Sequence, residues 1–396
     1  MRAVLLLASL GLVSILGSAK VLGSSRIPGF RLLARTGILF LLFGALIGEN
    51  GLDLFDSVSF HKLGPVLVIG LGWLGFFFGT NLEIRTLRKF PRQLYGAAFL
   101  QAILVFVVVF SCFALILPHL GLPSANGWIM VTILAATAAG TAPSSLFMLG
   151  QEKLLRGQSF ETLRFFASVD DVPGLVALGI LFSFNPGLNQ ARVSSPIFWF
   201  FLQIAMGVTF AFFLRGLKLQ QLDEAAGDLV VFGLIGMSSG MCLYLHLSPL
   251  FVSAITGMVV VNISDRSEAI YERVARREHA FYVLFLLLSG CLWDLSLAHL
   301  PALLALYFGS RLVGKVLGTF VAVKTLPKEF RLPALGGVGL ISQGGLAVAM
   351  VVSYRWAFEA HFVDWALSVV LLAVVVNEML APSVELWLLR KGEGLR

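Results

Sequence analysis

Charge is scarce in this sequence. Lysine, arginine, aspartate and glutamate make up 13% of its 396 residues, against 58% hydrophobic, where a water-soluble domain keeps roughly a quarter of its residues charged. Long polar stretches are missing as well. The segments between apolar runs reach only about fifteen residues, too short for a nucleotide-binding or catalytic domain to fold between them. Cysteine is rare: Cys112, Cys242 and Cys291 lie in or beside apolar runs and form no CxxC pair. They point to core filling rather than to a disulfide framework or a metal site. The short alternating segments of a membrane β-barrel are absent. The formal net charge of +7 does not point to nucleic acid either, because the basic residues fall in short loops between apolar runs, which is a topology signal.

What the sequence does contain is apolar runs of membrane-spanning length. They read as an all-α polytopic membrane protein of about thirteen transmembrane helices. The spans are 2–18, 32–49, 64–81, 94–118, 127–149, 163–184, 195–214, 227–241, 244–263, 279–297, 300–324, 332–354 and 363–388. Only Arg2 precedes the apolar run 3–17 of the first span, while Lys20, Arg26, Arg31 and Arg35 follow it closely. A secretory signal carries its basic residues in front, so this run reads as a membrane helix. Alternate loops with their adjoining helix ends hold twenty-three lysines and arginines, and the opposite side holds four. That bias predicts an outside N-terminus and a cytoplasmic C-terminus. The remaining two, Arg311 and Lys315, fall inside the eleventh span.

Asp170 and Asp171 lie in FFASVDDVPGLVALG, apolar on both sides. At helical rise they sit roughly 10–12 Å from the cytoplasmic end of the sixth span, and Lys315 roughly 14 Å from that of the eleventh. An unpaired charge at such depth is expensive, so pairing or a water-filled cavity is nearly forced. Adjacent residues on a helix point about 100° apart, so one carboxylate faces the lysine while its neighbour faces a cavity. A hard cation such as Na⁺ takes oxygen ligands, and the same carboxylate takes a proton when the cation leaves. Competition for one anionic site is the simplest mechanism of exchange.

Two further segments reach similar depth. AATAAGTAPSSL brings Thr141, Pro143, Ser144 and Ser145 into the fifth span, and GGVGLISQGGLAVAM brings Ser342, Gln343, Gly344 and Gly345 into the twelfth. Small residues with a proline favour an interrupted helix whose free carbonyls face ions, although the glycines alone read better as close helix packing. The two segments lie seven spans apart, an odd offset, and so run in opposite directions as an inverted repeat requires. The sixth and thirteenth spans are related in the same way, and the latter carries Asn377 and Glu378. Glu378 reads more readily as a structural partner for Arg311 than as a second ion-binding acid.

With these residues in place, the chain resembles the monovalent cation:proton antiporters of the sodium/proton exchanger superfamily, specifically the bacterial branch with paired aspartates. LGWLGFFFGTNLEIRTLRKF at 71–90, TAPSS at 141–145, VDD at 169–171, RLVGK at 311–315, GLISQGG at 339–345 and NEMLAP at 377–382 carry the resemblance, which covers nearly the whole chain. It implies an inverted-repeat fold with two interrupted crossing helices. Residues 94–184 and 300–389 would form the ion-transport core. Residues 1–93 and 227–299 would form a dimerisation scaffold, with 195–214 as linker helix. It further implies that Asp171 carries the transported Na⁺ while Asp170 bridges Lys315. The implied activity is electrogenic antiport of Na⁺ or Li⁺ against H⁺ by an elevator-like movement in a bacterial inner membrane, by a homodimer. Neither enzymatic chemistry nor a cofactor beyond the transported ions is implied. A K⁺/H⁺ antiporter or a channel-like K⁺ efflux protein of the same fold is the alternative, and the missing nucleotide-binding domain argues against the gated K⁺ branch. The pattern departs at Ala142, where relatives often carry an aspartate or serine.

Overall fold

The computed structural model describes residues 37–52, 57–120, 124–142, 158–184, 195–217, 223–264, 267–294, 299–332, 335–358 and 361–392. The expected first span, 2–18, lies outside the described residues. Every other expected span contains a helix. In chain order these are α1 (Ile38–Ile47), α2 (Ser57–Thr80), the short α3 (Ile84–Leu87), α4 (Arg92–Ile116), α5 (Ser124–Ala139), α6 (Gln158–Val169) and α7 (Asp171–Phe184). They continue with α8 (Pro196–Gly216), α9 (Glu224–Tyr244), α10 (Pro249–Ile263), α11 (Ser267–Cys291), α12 (Leu300–Val323), α13 (Gly345–Ala357) and α14 (His361–Gly392). Seven of the described helical stretches are long and apolar enough to cross a membrane. Helices satisfy their backbone hydrogen bonds internally, which hydrocarbon demands.

Three boundaries differ from the sequence reading. The break expected between 241 and 244 is not there: α9 continues through GMSSGMC to Tyr244. The break comes at Leu245–Ser248, where His246 takes a left-handed conformation (φ 53°) and Ser248 caps the Phe251 amide at the start of α10. Pro249 at the first position of α10 needs no amide donor there. The second difference is that the expected loop 264–278 is largely helical. Within it Arg277 pairs with Asp228 at 2.9 Å and Arg276 with Glu224 at 3.4 Å, both on α9. Those i, i+1 arginines stand on the edge of the extra α11 turns that faces α9, in largely exposed pairs that add little stability by themselves. Third, the single expected sixth span is two helices, α6 and α7, meeting at Asp170, whose amide still donates to the Phe166 carbonyl at 2.9 Å.

The chain forms two compact units. The first takes its described residues from 1–87, 178–293 and 352–358, and the second from 88–177, 294–351 and 359–396. Trp73, Phe76, Trp199, Phe210, Leu234 and Val252 are among the residues of the first unit's core. On α8, Ile197, Phe198, Phe201, Phe212 and Phe213 point outward, a surface suited to lipid rather than water. Besides the α6–α7 junction, the second unit holds two places, among the described residues, where the backbone leaves the helical path inside an apolar span. Helix α5 ends at Ala139, and residues 140–142 leave the helical path. A 3₁₀ turn, Gly336–Leu340, is followed by four non-helical residues before α13 begins.

Candidate functional site

The two breaks meet. The Ala142 amide donates to the Ser342 carbonyl at 3.3 Å, and the Ser342 hydroxyl donates to the Ala142 carbonyl at 2.7 Å. A side chain at Gly344 would bring its Cβ to 2.8 Å from that of Ala142, so the crossing is close enough to require glycine. Stopping a helix here leaves carbonyls of its last turn without partners. Three side chains from elsewhere in the unit supply them. The Gln343 amide donates to Thr137 O at 2.9 Å, Arg311 Nε to Ala138 O at 3.1 Å, and Lys315 Nζ to Ala139 O at 2.6 Å. Two of the three are cations at a helix C-terminus, where the dipole favours positive charge.

Arg311 goes further. Its guanidinium also donates to the carbonyls of Ile341, Gly140 and Ser342, the last two at 2.8 and 3.0 Å. One planar fork therefore clamps both breaks at once, which a lysine has too few fixed donors to do. Glu378 is buried and lies within electrostatic range of this guanidinium.

The aspartates occupy unlike surroundings. Asp170 is wholly buried and accepts from Thr141 N at 3.1 Å, Thr141 Oγ1 at 2.6 Å and Lys315 Nζ at 2.8 Å. Lys315 completes its three bonds with Thr141 Oγ1 at 2.7 Å. Asp171 opens α7, at the end of the helix that favours negative charge, and Pro173 two residues on costs no needed donor. Its side chain is 8% exposed, and no hydrogen bond to its carboxylate is found among the described residues. The carboxylate presses on Gly140, where a Cβ would fall 1.7 Å from Asp171 Oδ1. Asp170 is saturated. Asp171 is open.

The family model for the transmembrane sodium/hydrogen exchangers matches residues 6–390. The chain belongs to this family. A solved structure of the sodium proton antiporter MjNhaP1 from Methanocaldococcus jannaschii at pH 8 is similar over 98% of this chain and 100% of that one, at 20% identity and a TM-score of 0.68. An electron-microscopy structure of the same antiporter covers 97% of this chain and 98% of its own at 18% identity, TM-score 0.60. No match is found among curated proteins. The likeness fixes the exchanger's fold as all-α and polytopic, with the inverted-repeat architecture.

Of the expected site residues, the structure brings together Thr141, Asp170, Asp171, Arg311, Lys315, Gln343, Gly344 and Asn377 within the second unit, with Gly345 opening α13. Pro143, Ser144 and Ser145 lie outside the described residues. Two residues of this exchanger's polar centre, Tyr307 and Thr137, escaped the sequence reading. Tyr307, fully buried on α12, lies 3.1 Å from Thr137 Oγ1 and accepts from Gln343 Nε2 at 2.7 Å. Asn377 on α14 then donates to Gln343 Oε1 at 3.0 Å. The signal was spacing: Tyr307, Arg311 and Lys315 recur every four residues on one helix face, as do Thr137 and Thr141 in the fifth span.

Proposed function

We propose that this exchanger moves Na⁺ or Li⁺ in one direction and H⁺ in the other, with Asp171 as the site both compete for. The observation that carries the reading is the contrast between the two carboxylates. Asp170 has its oxygens occupied by Thr141 and Lys315, while the Asp171 carboxylate, beside an interrupted helix, accepts no hydrogen bond among the described residues. A cation of high charge density binds there with the carboxylate and nearby carbonyl oxygens as ligands. When the cation leaves, a proton neutralises the carboxylate, since a bare charge at this depth is costly. Obligatory alternation of the two occupants is antiport.

Net charge movement follows from Lys315. Drawing Asp170 toward a bound cation leaves the ammonium without its counter-charge, and release of its proton removes that cost. Two protons then move against one Na⁺. The second unit acts as the moving core, and the first, with α8 as linker, as the scaffold that pairs two copies. The lysine and arginine distribution supports a cytoplasmic C-terminus in a bacterial inner membrane, surrounded by lipid. The test is a pH gradient imposed on proteoliposomes, followed by pulses of Na⁺, Li⁺ or K⁺ between pH 6 and 9. Dissipation by Na⁺ or Li⁺ supports the reading. A response to K⁺ alone reassigns the cation, and no response to any of the three sinks antiport.

A further inference from the structure

Gln101 on α4 is wholly buried, and neither its amide nitrogen nor its oxygen has a hydrogen-bond partner among the described residues. Thr319 on α12 is buried too, and its hydroxyl is likewise unpartnered. That hydroxyl breaks a pattern. On the other described transmembrane helices the hydroxyls of Thr132, Thr137, Thr162, Thr209 and Thr256 donate to a carbonyl three or four residues back. Thr319 does not use that default.

The two side chains leave facing helices at one level. A Cβ on Gly314 would lie 3.1 Å from Val105 Cα, and one on Gly318 would lie 2.9 Å from Gln101 O. A step of four residues forward on α12 thus matches four backward on α4, an antiparallel register that sets Gln101 beside Gly318 and Thr319. Lys315 stands on the same face as Thr319, one turn further in. Buried groups left unpaired by protein are the usual hosts of internal water, which makes about three hydrogen bonds. A glutamine amide and a threonine hydroxyl offer both donors and acceptors, so they hold a water in either orientation, as relaying a proton requires.

We infer that Gln101 and Thr319 hold water between α4 and α12 and give protons a route to Lys315 from the helix ends marked by Arg92 and Lys324. The inference rests on the proposed exchange. All three N–H groups of Lys315 are engaged, by Ala139 O, Thr141 Oγ1 and Asp170 Oδ2. Once Asp170 is drawn away, the ammonium passes a proton to water on the Thr319 side, and that water hands one on toward the Arg92 end. On return, water protonates the amine and regains a proton from the next water outward. Asp171 keeps its own opening for the cation.

The test has two arms on the full-length protein in proteoliposomes. In a background with Cys112, Cys242 and Cys291 replaced by serine, Gln101→Cys is compared with Val105→Cys, a fully buried apolar position one turn along α4. A small cationic methanethiosulfonate should label Q101C at least tenfold faster, and equal rates overturn the hydrated contact. In the second arm, Q101L and T319V should each slow proton-coupled exchange by roughly tenfold or more and change its pH profile. Melting temperature should stay near wild type, because neither side chain bonds another protein group among the described residues, and T319S should restore the wild-type rate. Wild-type exchange with unaltered Q101L and T319V rates overturns this inference alone. A wild-type protein that exchanges nothing overturns the antiport reading instead, and the labelling contrast then decides whether the contact is wet.

Discussion

The two units bury different kinds of polar group. Among the described residues, the first unit buries hydroxyls and one amide: Gln203 donates to Gly179 O and Ser183 Oγ, both at 3.0 Å, while Ser248 lies 3.3 Å from Ser353. Among the described residues every buried charged side chain, namely Asp170, Asp171, Arg311, Lys315, Glu378 and Glu385, belongs to the second. Neutral hydrogen bonds stabilise by about 0.5–1.5 kcal/mol each with little penalty, which suits the scaffold role proposed for this unit. Buried ions repay their desolvation poorly as stabilisers. Where they concentrate, work other than stability is being done, and here they concentrate at two broken helices.

The largest expected effect is on Asp171. Asp171→Asn should reduce cation-dependent proton flux to background with a wild-type melting temperature, since the carboxylate holds no hydrogen-bond partner among the described residues whose loss would destabilise the fold. Gly140→Ala sharpens the same point: its Cβ must displace Asp171 Oδ1, and a misplacement near 1 Å should cost about 10- to 100-fold in turnover. Retained turnover in D171N would end the contrast between the aspartates.

The next effect falls on stability. Asp170→Asn strands the Lys315 ammonium in the apolar interior, with an expected loss of roughly 3–5 kcal/mol, read from thermal unfolding in detergent. Lys315→Gln leaves Asp170 its two Thr141 bonds, so it should unfold less readily and still exchange, but without current on a solid-supported membrane. Adding K315Q to D170N should recover part of the lost stability, as coupled neighbours do. Wild-type charge per cation in K315Q would confine the lysine to a structural role.

Gln203→Leu tests the other side of the comparison. It removes hydrogen bonds to two α7 acceptors and should destabilise by about 1–3 kcal/mol while exchange per folded protein stays at the wild-type rate. Dead but folded Q203L would mean the first unit does more than hold its shape.

The smallest effect is a pH dependence outside the spanning stretches. Glu278 precedes the apolar part of α11, and burial pushes its carboxyl up from 4.5 to about 7. Its folded form therefore holds a proton that the unfolded chain has already lost. The associated stability is full below pH 4.5 and is lost as pH rises through about 7. Glu278→Gln should match wild type near pH 4.5 and melt higher than wild type at pH 8, as differential scanning fluorimetry would show.

Much of this was legible before any coordinates. Apolar runs of spanning length and the one-sided basic loops forced a helical membrane protein, because hydrocarbon tolerates no unsatisfied backbone. Asp170, Asp171 and Lys315 stood out for the same reason: charge at such depth is too costly to be incidental. The helix over 267–278 stayed hidden, since Arg276 and Arg277 look like loop residues until Glu224 and Asp228 are beside them.

Local sequence thus determined which segments span the membrane, that the fifth and twelfth are interrupted, and which residues are too polar for their depth, all properties of a single segment in its solvent. Which carboxylate is saturated, that Arg311 clamps four carbonyls from two breaks, and that Tyr307 joins Gln343 were decided only by tertiary structure. Each depends on residues from about thirty to more than a hundred positions apart meeting at one point. Hydrogen bonds have strength only within about 3 Å, and no periodicity along a chain encodes that distance across space.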